Sequence, residues 1–229
     1  MKKVIVISLG GSLIVPEKQD PKFLDKFKHM LRKFYKTYKF VIVCGGGTIA
    51  RRYIETLKIE HKSKYELSQA GIRATRMNAE FMMQLFGKQE ANNKLPLDMK
   101  DVKNELSKNN VVICGALRFA ERATSDTTAA KLAHFLKTQF INVTNVKGLY
   151  TADPKKDKNA KFIPKITWKD FEKKALAIKH TPGQHFVLDQ ESSILIKKYK
   201  TITYIIGKNL PSLKKILRNK KFEGTLING

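Results

Sequence analysis

Residues 4–13 read VIVISLGGSL, a nearly unbroken apolar run that ends in two glycines. A β-rich run without polar alternation suits a strand covered on both faces. Four further runs share this character: FVIVC at 40–44, VVIC at 111–114, FINVT at 140–144 and ITYII at 202–206. Between them apolar residues recur at spacings of three and four. The series are Phe23, Leu24, Phe27, Leu31 and Phe34; Ile49, Tyr53, Ile54 and Leu57; the stretch from Ile72 to Leu85; and Ala129, Leu132, Ala133 and Leu136. Strand and helix therefore alternate, which predicts an α/β fold on a largely parallel sheet with right-handed crossovers. Several strands end in glycine or in Thr-Asn, at the edge where open α/β sheets bind ligands.

No linker rich in Pro, Gly or Ser divides the 229 residues, and no internal repeat is evident. One domain over 1–229 is expected, long enough to bury a good-sized core. The most irregular segment, KGLYTADPKKDKNAKFIPKI at 147–166, has Asp153-Pro154 as a turn signal between two short β-like pieces. It predicts a hairpin excursion that rejoins the domain at Thr167, an N-cap for WKDFEKK.

The chain carries 45 Lys and Arg against 20 Asp and Glu, a formal charge of +25. Such a balance suits an anionic partner, whether nucleic acid, a membrane face or a phosphorylated metabolite. The lysines are spread over the whole length, as on solvated helix faces, and no aromatic-studded basic motif accompanies them, so nucleic acid is disfavoured as the partner. Cys44 and Cys114 each end an apolar run and precede glycine, which fits buried core thiols and neither a disulfide framework nor metal-ligand spacing. The apolar run after Lys2 and Lys3 is too short, and too soon followed by glycines, for a signal peptide. No apolar stretch approaches the ~20 residues of a membrane span, and a cytoplasmic protein is expected.

GGGTIARRYI at 45–54 is a triple glycine after a strand, opening a helix with two arginines. Glycines let the backbone approach an anion and let successive N–H groups converge on it, while a helix N-terminus adds partial positive charge. The stretch lacks the Gly-Lys-Ser/Thr of a P-loop and the G-x-G-x-x-G of a dinucleotide fold. A glycine triplet alone also makes an ordinary tight turn. With SLGGSL at the end of the first strand, however, two glycine turns on one sheet edge can wall one cleft. ATSDTTAAKLAHFL at 123–136 opens a helix with Thr124, Ser125 and Asp126, which is also an ordinary helix start. Asn145, Tyr150 and Asp153 follow a strand, and Asp189 follows the apolar FVL, bringing a carboxylate toward the same edge.

In this order the motifs GGSLIVPE, GGGTIARRYIE, GIRATRMNAEFM, TSDTTAAKLAHFL, TNVKGLYTADPKKDKNAK, FVLDQESSILIKK and EGTLI cover essentially the whole chain. They resemble the amino acid kinase superfamily, and most closely its archaeal uridylate kinases. The resemblance implies a three-layer αβα sandwich that transfers the γ-phosphoryl group of ATP to UMP with Mg2+. The acceptor side would lie in 1–138 and the ATP side in 139–229. By the same resemblance, Gly10, Gly11 and Ser12 would hold the transferring phosphoryl group. Gly46, Gly47 and Arg51 would meet the acceptor phosphate, with Ser68, Thr124 and Asp126 near the acceptor. Thr144, Asn145, Tyr150, Asp153 and Pro154 would shape the ATP pocket, and Asp189 would order the phosphate-binding groups. No protein-held metal site is expected, and a cytoplasmic homo-oligomer, a hexamer built from dimers, is implied.

Four features depart from the resemblance. Ser8 stands where many relatives carry a lysine, Ser68 where an acidic residue would hold the ribose, and Lys147 where T-N-V-D-G has aspartate. The acceptor loop, G-G-T-x-P-G-x-T-T-D in archaeal uridylate kinases, is longer here, lacks the Pro-Gly pair and carries Arg118, Glu121 and Arg122. One expectation is that Arg118 or Arg122 supplies the charge missing at Ser8. Three other readings stay open: a kinase of another small phosphate such as isopentenyl phosphate, a silent nucleotide-binding regulatory subunit, and a nucleic-acid-associated protein. The first of these is opposed by Ser8 and by the lack of a histidine between His61 and His134.

Overall fold

The computed structural model describes residues 2–16, 21–119, 124–154, 157–177 and 187–229. In chain order the elements are β1 (Lys3–Leu9), α1 (Gly11–Ile14), α2 (Pro21–Arg32), β2 (Tyr38–Cys44), α3 (Gly47–Ile59) and α4 (Lys64–Phe86). Then follow α5 (Met99–Lys108), β3 (Val111–Cys114), α6 (Ser125–Phe135), β4 (Phe140–Val143), β5 (Leu149–Tyr150) and β6 (Phe162–Ile163). The last are β7 (Lys165–Ile166), α7 (Trp168–Ala177), α8 (Gln190–Lys198), β8 (Thr203–Ile206), α9 (Leu210–Leu217) and β9 (Thr225–Ile227).

Among the described residues seven strands form one sheet in the order β3-β2-β1-β4-β8-β9-β7. The first five are mutually parallel; β9 runs antiparallel to β8, and β7 parallel to β9. All five apolar runs are thus strands of the parallel part. The sequence pattern does not predict β9 or the edge strand β7, because two or three residues carry no readable period.

Alternation along the strands divides the core into two layers. Ile5, Ile7, Leu9, Phe40, Ile42, Ile113 and Ile141 face a cluster with Phe27 and Leu31 of α2, Met82 and Phe86 of α4, and Leu213 of α9. Val6, Val41, Val43, Val112 and Phe140 face the other cluster, with Val102 of α5, Leu132 of α6, Phe171 of α7 and Ile196 of α8. Helices therefore cover both faces, which is the three-layer αβα arrangement. Cys44 and Cys114 are buried free thiols, and burial pushes both well up from their usual range.

The excursion after β4 is a two-stranded antiparallel hairpin of β5 and β6, with Tyr150 opposite Phe162. Thr167 accepts from Asp170 N at 3.1 Å and so caps α7 as its sequence suggests. The apolar series of α3 behaves differently from the others. This helix packs on α4, where Ile54 faces Gly71, and Tyr53 remains 51% exposed.

Candidate active site

The two glycine turns meet at the carboxyl edge of β1 and β2. Gly10 N donates to Val143 O at 3.0 Å, and Gly45 N donates to Leu9 O at 2.9 Å. A Cβ on Gly11 would lie 2.1 Å from Gly47 N and 2.5 Å from Gly45 O, so the loops touch backbone against backbone. Gly47 opens α3 at φ +62°, a conformation that costs glycine little. The first-turn N–H groups of α3 have no intrahelical acceptor. One turn on, Arg51 donates to Thr48 Oγ1 at 3.0 Å. Ser12 is half-buried in α1, beside the same contact. Gly10, Gly11, Gly46 and Gly47 are therefore brought together as expected, with Ser12 and Arg51 on the flanking helices.

On the α6 face of the sheet lies a cluster of carboxylates and hydroxyls. Ser8, essentially buried in β1, donates from Oγ to Asp126 Oδ1 at 2.7 Å. Thr124 caps α6, accepting from Asp126 N at 3.1 Å and donating its hydroxyl to Asp189 Oδ2. Thr127 donates to Asp189 Oδ1 at 3.0 Å, and Ser192 N donates to the same oxygen at 2.6 Å, so Asp189 caps α8 and ties it to α6. The Asp126 residue keeps some exposed surface, yet its carboxyl is enclosed by protein. Burial first, then the charge of Asp189, push its pKa up to about 7, and the Ser8 hydrogen bond opposes them. Among the described residues neither carboxylate has a cationic partner.

Of the two arginines expected to fill that gap, Arg118 is turned elsewhere. Arg118 is 79% exposed and pairs with Asp98, the N-cap of α5, at 3.0 Å. Arg118 is thereby committed to α5, because an N-cap carboxylate at a loop's end is a ready partner for a flexible guanidinium. Arg122 and Glu121 lie outside the described residues. Ser68 sits in the second turn of α4 and makes no side-chain hydrogen bond among the described residues.

At the ends of β4 and β8 a cavity of about 290 Å³ is lined by Asn145, Val146, Lys147, Gly207, Lys208, Asn209 and Glu223. Lys147 pairs with Glu223, which also accepts from Asn209 Nδ2 at 3.0 Å. Their hydrogen bond raises the lysine pKa and lowers that of the glutamate. The Lys147 ammonium also stands 5.4 Å from the Phe162 ring centroid, and that ring meets Tyr150 edge-on at 5.4 Å. Of the five residues expected at the ATP side, Asn145 lines this cavity, with Thr144 beside Gly10 and Tyr150 on the hairpin wall. Asp153 and Pro154 lie in the hairpin turn, where Asp153 O accepts from Asp157 N at 2.9 Å, and they are not among the lining residues.

Sequence reasoning missed Thr127, the Lys147–Glu223 pair and the use of Ser8 as a hydrogen-bond donor to Asp126. Only Thr127 left a signal, standing one helical turn from the Thr124 cap. Among the described residues no group of three His, Cys, Asp or Glu side chains could cage a metal ion, and no helix is long and apolar enough to cross a membrane.

The sequence profile of the amino acid kinase family matches residues 3–207. The uridylate kinase of Pyrococcus abyssi is 32% identical, over 97% of this chain and 98% of its own length. That of Thermoplasma acidophilum is 32% identical over 100% of this chain and 98% of its own. The crystal structure of uridylate kinase from Archaeoglobus fulgidus superposes with a TM-score of 0.84 at 30% identity, covering 99% of this chain and 100% of that one. UMP kinase from Bacillus anthracis, at 18% identity, shares the fold with a TM-score of 0.78 over 99% of this chain and 96% of its own.

Proposed function

The chain belongs to the amino acid kinase family, and on that premise we propose that it phosphorylates UMP with ATP, giving UDP and ADP. The observation that carries this reading is the backbone contact of the two glycine loops at one sheet edge, in a chain similar to uridylate kinases over nearly its full length. In the transfer, a UMP phosphate oxygen forms a bond to the γ-phosphorus as the bond to the ADP oxygen breaks. Such a reaction asks the protein mainly for alignment and neutralisation of charge.

In this reading the amides around Gly10, Gly11 and Ser12 hold the phosphoryl group in flight. Gly46, Gly47 and Arg51 bind the acceptor phosphate, helped by the N-terminus of α3. Thr124 and Asp126 border the acceptor, with Ser68 toward its ribose, and Asp189 fixes α6 against α8 through Thr124 and Thr127. Thr144, Asn145, Tyr150, Asp153 and Pro154 form the donor side. The acceptor half is 1–138 and the donor half 139–229 of one domain.

Mg2+ fits the donor set as a nucleotide-borne ion, because this cation keeps several waters and takes only one or two carboxylates besides phosphate oxygens. It would neutralise developing charge on the phosphates, held by the nucleotide rather than by a protein cage. Self-association of the chain in the cytoplasm belongs to the same reading.

The test is a coupled ADP-release assay with ATP and Mg2+ against UMP, CMP, AMP, GMP and isopentenyl phosphate, with calorimetry of nucleotide binding on the same sample. Turnover with a clear preference for UMP is expected. ATP binding without turnover on any acceptor would overturn the proposal in favour of a regulatory subunit.

A further inference from the structure

The stretch that leaves β3, residues 115–117, lies in no strand or helix and is held by α4. Thr75 Oγ1 donates to Ile72 O at 2.7 Å and accepts from Ala116 N at 2.9 Å. The next residue, Arg76, donates from Nε to Ala116 O at 3.1 Å and from Nη2 to Leu117 O. Three polar backbone groups of residues 116 and 117 are thus taken by two adjacent side chains of one helix. Contact is close throughout, since a Cβ on Gly115 would lie 2.7 Å from Arg76 N.

The same helix holds the other loop. Half a turn beyond Arg76, buried Asn78 donates from Nδ2 to Gly45 O at 2.7 Å. Gly46 in turn packs toward Ala74 and Thr75. Residues 74–78 of α4 therefore brace both the glycine loop and the 115–117 stretch after β3. The brace is rigid: α4 runs 23 residues from a Ser63/Glu66 capping box.

Arg76 is the unusual member. It is half-buried, and among the described residues no carboxylate lies within ion-pairing distance of it. A cation partly removed from water without a counter-charge carries a cost, which its two carbonyl acceptors only partly offset. A neutral donor could satisfy those carbonyls without that cost.

We propose that Arg76 is a positioning residue for the acceptor: its guanidinium fork fixes the 115–117 stretch at the end of β3, next to the glycine loop that the same helix holds through Asn78, and it brings a fixed positive charge to that wall of the site. The inference rests on the kinase reading of the site. Lysine cannot replace the fork, because an ammonium is a point donor without the fixed planar spacing of two N–H groups.

The test compares Arg76→Met and Arg76→Lys by steady-state kinetics and by amide hydrogen exchange. Arg76→Met raises the KM for UMP at least tenfold, leaves kcat and the KM for ATP within about twofold, and accelerates exchange at 115–119 while 38–47 stays protected. Arg76→Lys regains less than half of the lost UMP affinity. A UMP KM equal to wild type, a parallel rise in the ATP KM, or exchange accelerated uniformly along the chain would overturn the proposal. Should Arg76→Met fail to fold, Arg76→Lys with wild-type UMP KM and wild-type exchange would overturn it equally. A wild-type protein inactive on UMP would instead sink the kinase reading, and the exchange pattern alone would then decide the role of Arg76.

Discussion

Replacing Ser8 with alanine removes one oxygen from an enclosed position and reaches the carboxylate chemistry of the site directly. The Ser8 hydrogen bond to Asp126, 2.7 Å long, works against the burial and the Asp189 charge that together push the carboxyl up to about 7. A hydrogen bond to a charged group contributes about 1.5–3 kcal/mol, and one pKa unit corresponds to about 1.4 kcal/mol. Its loss should therefore raise the Asp126 pKa by about one to two units. Two readouts follow it: the carboxyl carbon-13 shift of Asp126, and kcat/KM for UMP as a function of pH. Wild type should show a rise with a midpoint near 7, and Ser8→Ala the same rise displaced upward, the two rates converging at high pH. Stability moves in the opposite sense. The folded chain binds this proton more tightly than the unfolded chain, so the contribution is full below an unfolded value of about 3.9 and lost as pH rises through about 7. With the folded value about three pH units above the unfolded one, that loss is of order 4 kcal/mol. Asp126→Asn, neutral at every pH, should be more stable than wild type at about pH 8 while losing activity. A Ser8→Ala profile that coincides with wild type, or moves to lower pH, would refute the reasoning.

Two further substitutions probe the loops and the donor side. Gly11→Ala would force a Cβ to within 2.1 Å of Gly47 N; the loops must separate, and a displacement of about 1 Å at a transfer site should lower kcat/KM by about a hundredfold, read in the ADP-release assay. Lys147→Met breaks a pair with Glu223 in which both side chains are about half exposed; thermal unfolding should show little change, because such pairs are screened, while the KM for ATP moves and that for UMP does not.

The parallel strands were legible because both of their faces are buried: VIVISL, FVIVC and VVIC leave no polar position for solvent. The covering helices were legible where their apolar stripe meets the sheet, as in Phe23, Phe27 and Leu31. The α3 series also marks a helix, but its stripe meets another helix and leaves Tyr53 half in water. β7 and β9 are too short to show a period, and they are held by partners distant in the chain, such as Lys165 opposite Leu226. The glycine loops could be read as two walls of one cleft, because glycine is the residue that close backbone approach requires. The Ser8–Asp126 contact could not be read, because it joins residues 118 positions apart. Nor could the commitment of Arg118 to Asp98, since a flexible cation in an exposed loop goes to whichever carboxylate the fold presents.

Taken together, Ser8, Asp126 and Asp189 make an enclosed, locally acidic cluster inside a chain of formal charge +25. The two scales of charge do different work. A diffuse positive field raises the local concentration of polyphosphates and speeds their encounter, and it needs no particular lysine. Alignment needs fixed donors at short range; in the proposed reading these are backbone amides of the glycine loops, one of which α4 holds through Asn78, while Thr75 and Arg76 hold the neighbouring 116–117 stretch. Within the cluster, the Asp126 carboxyl holds its proton below about pH 7, and the Ser8 hydrogen bond is the contact that keeps that value from rising further.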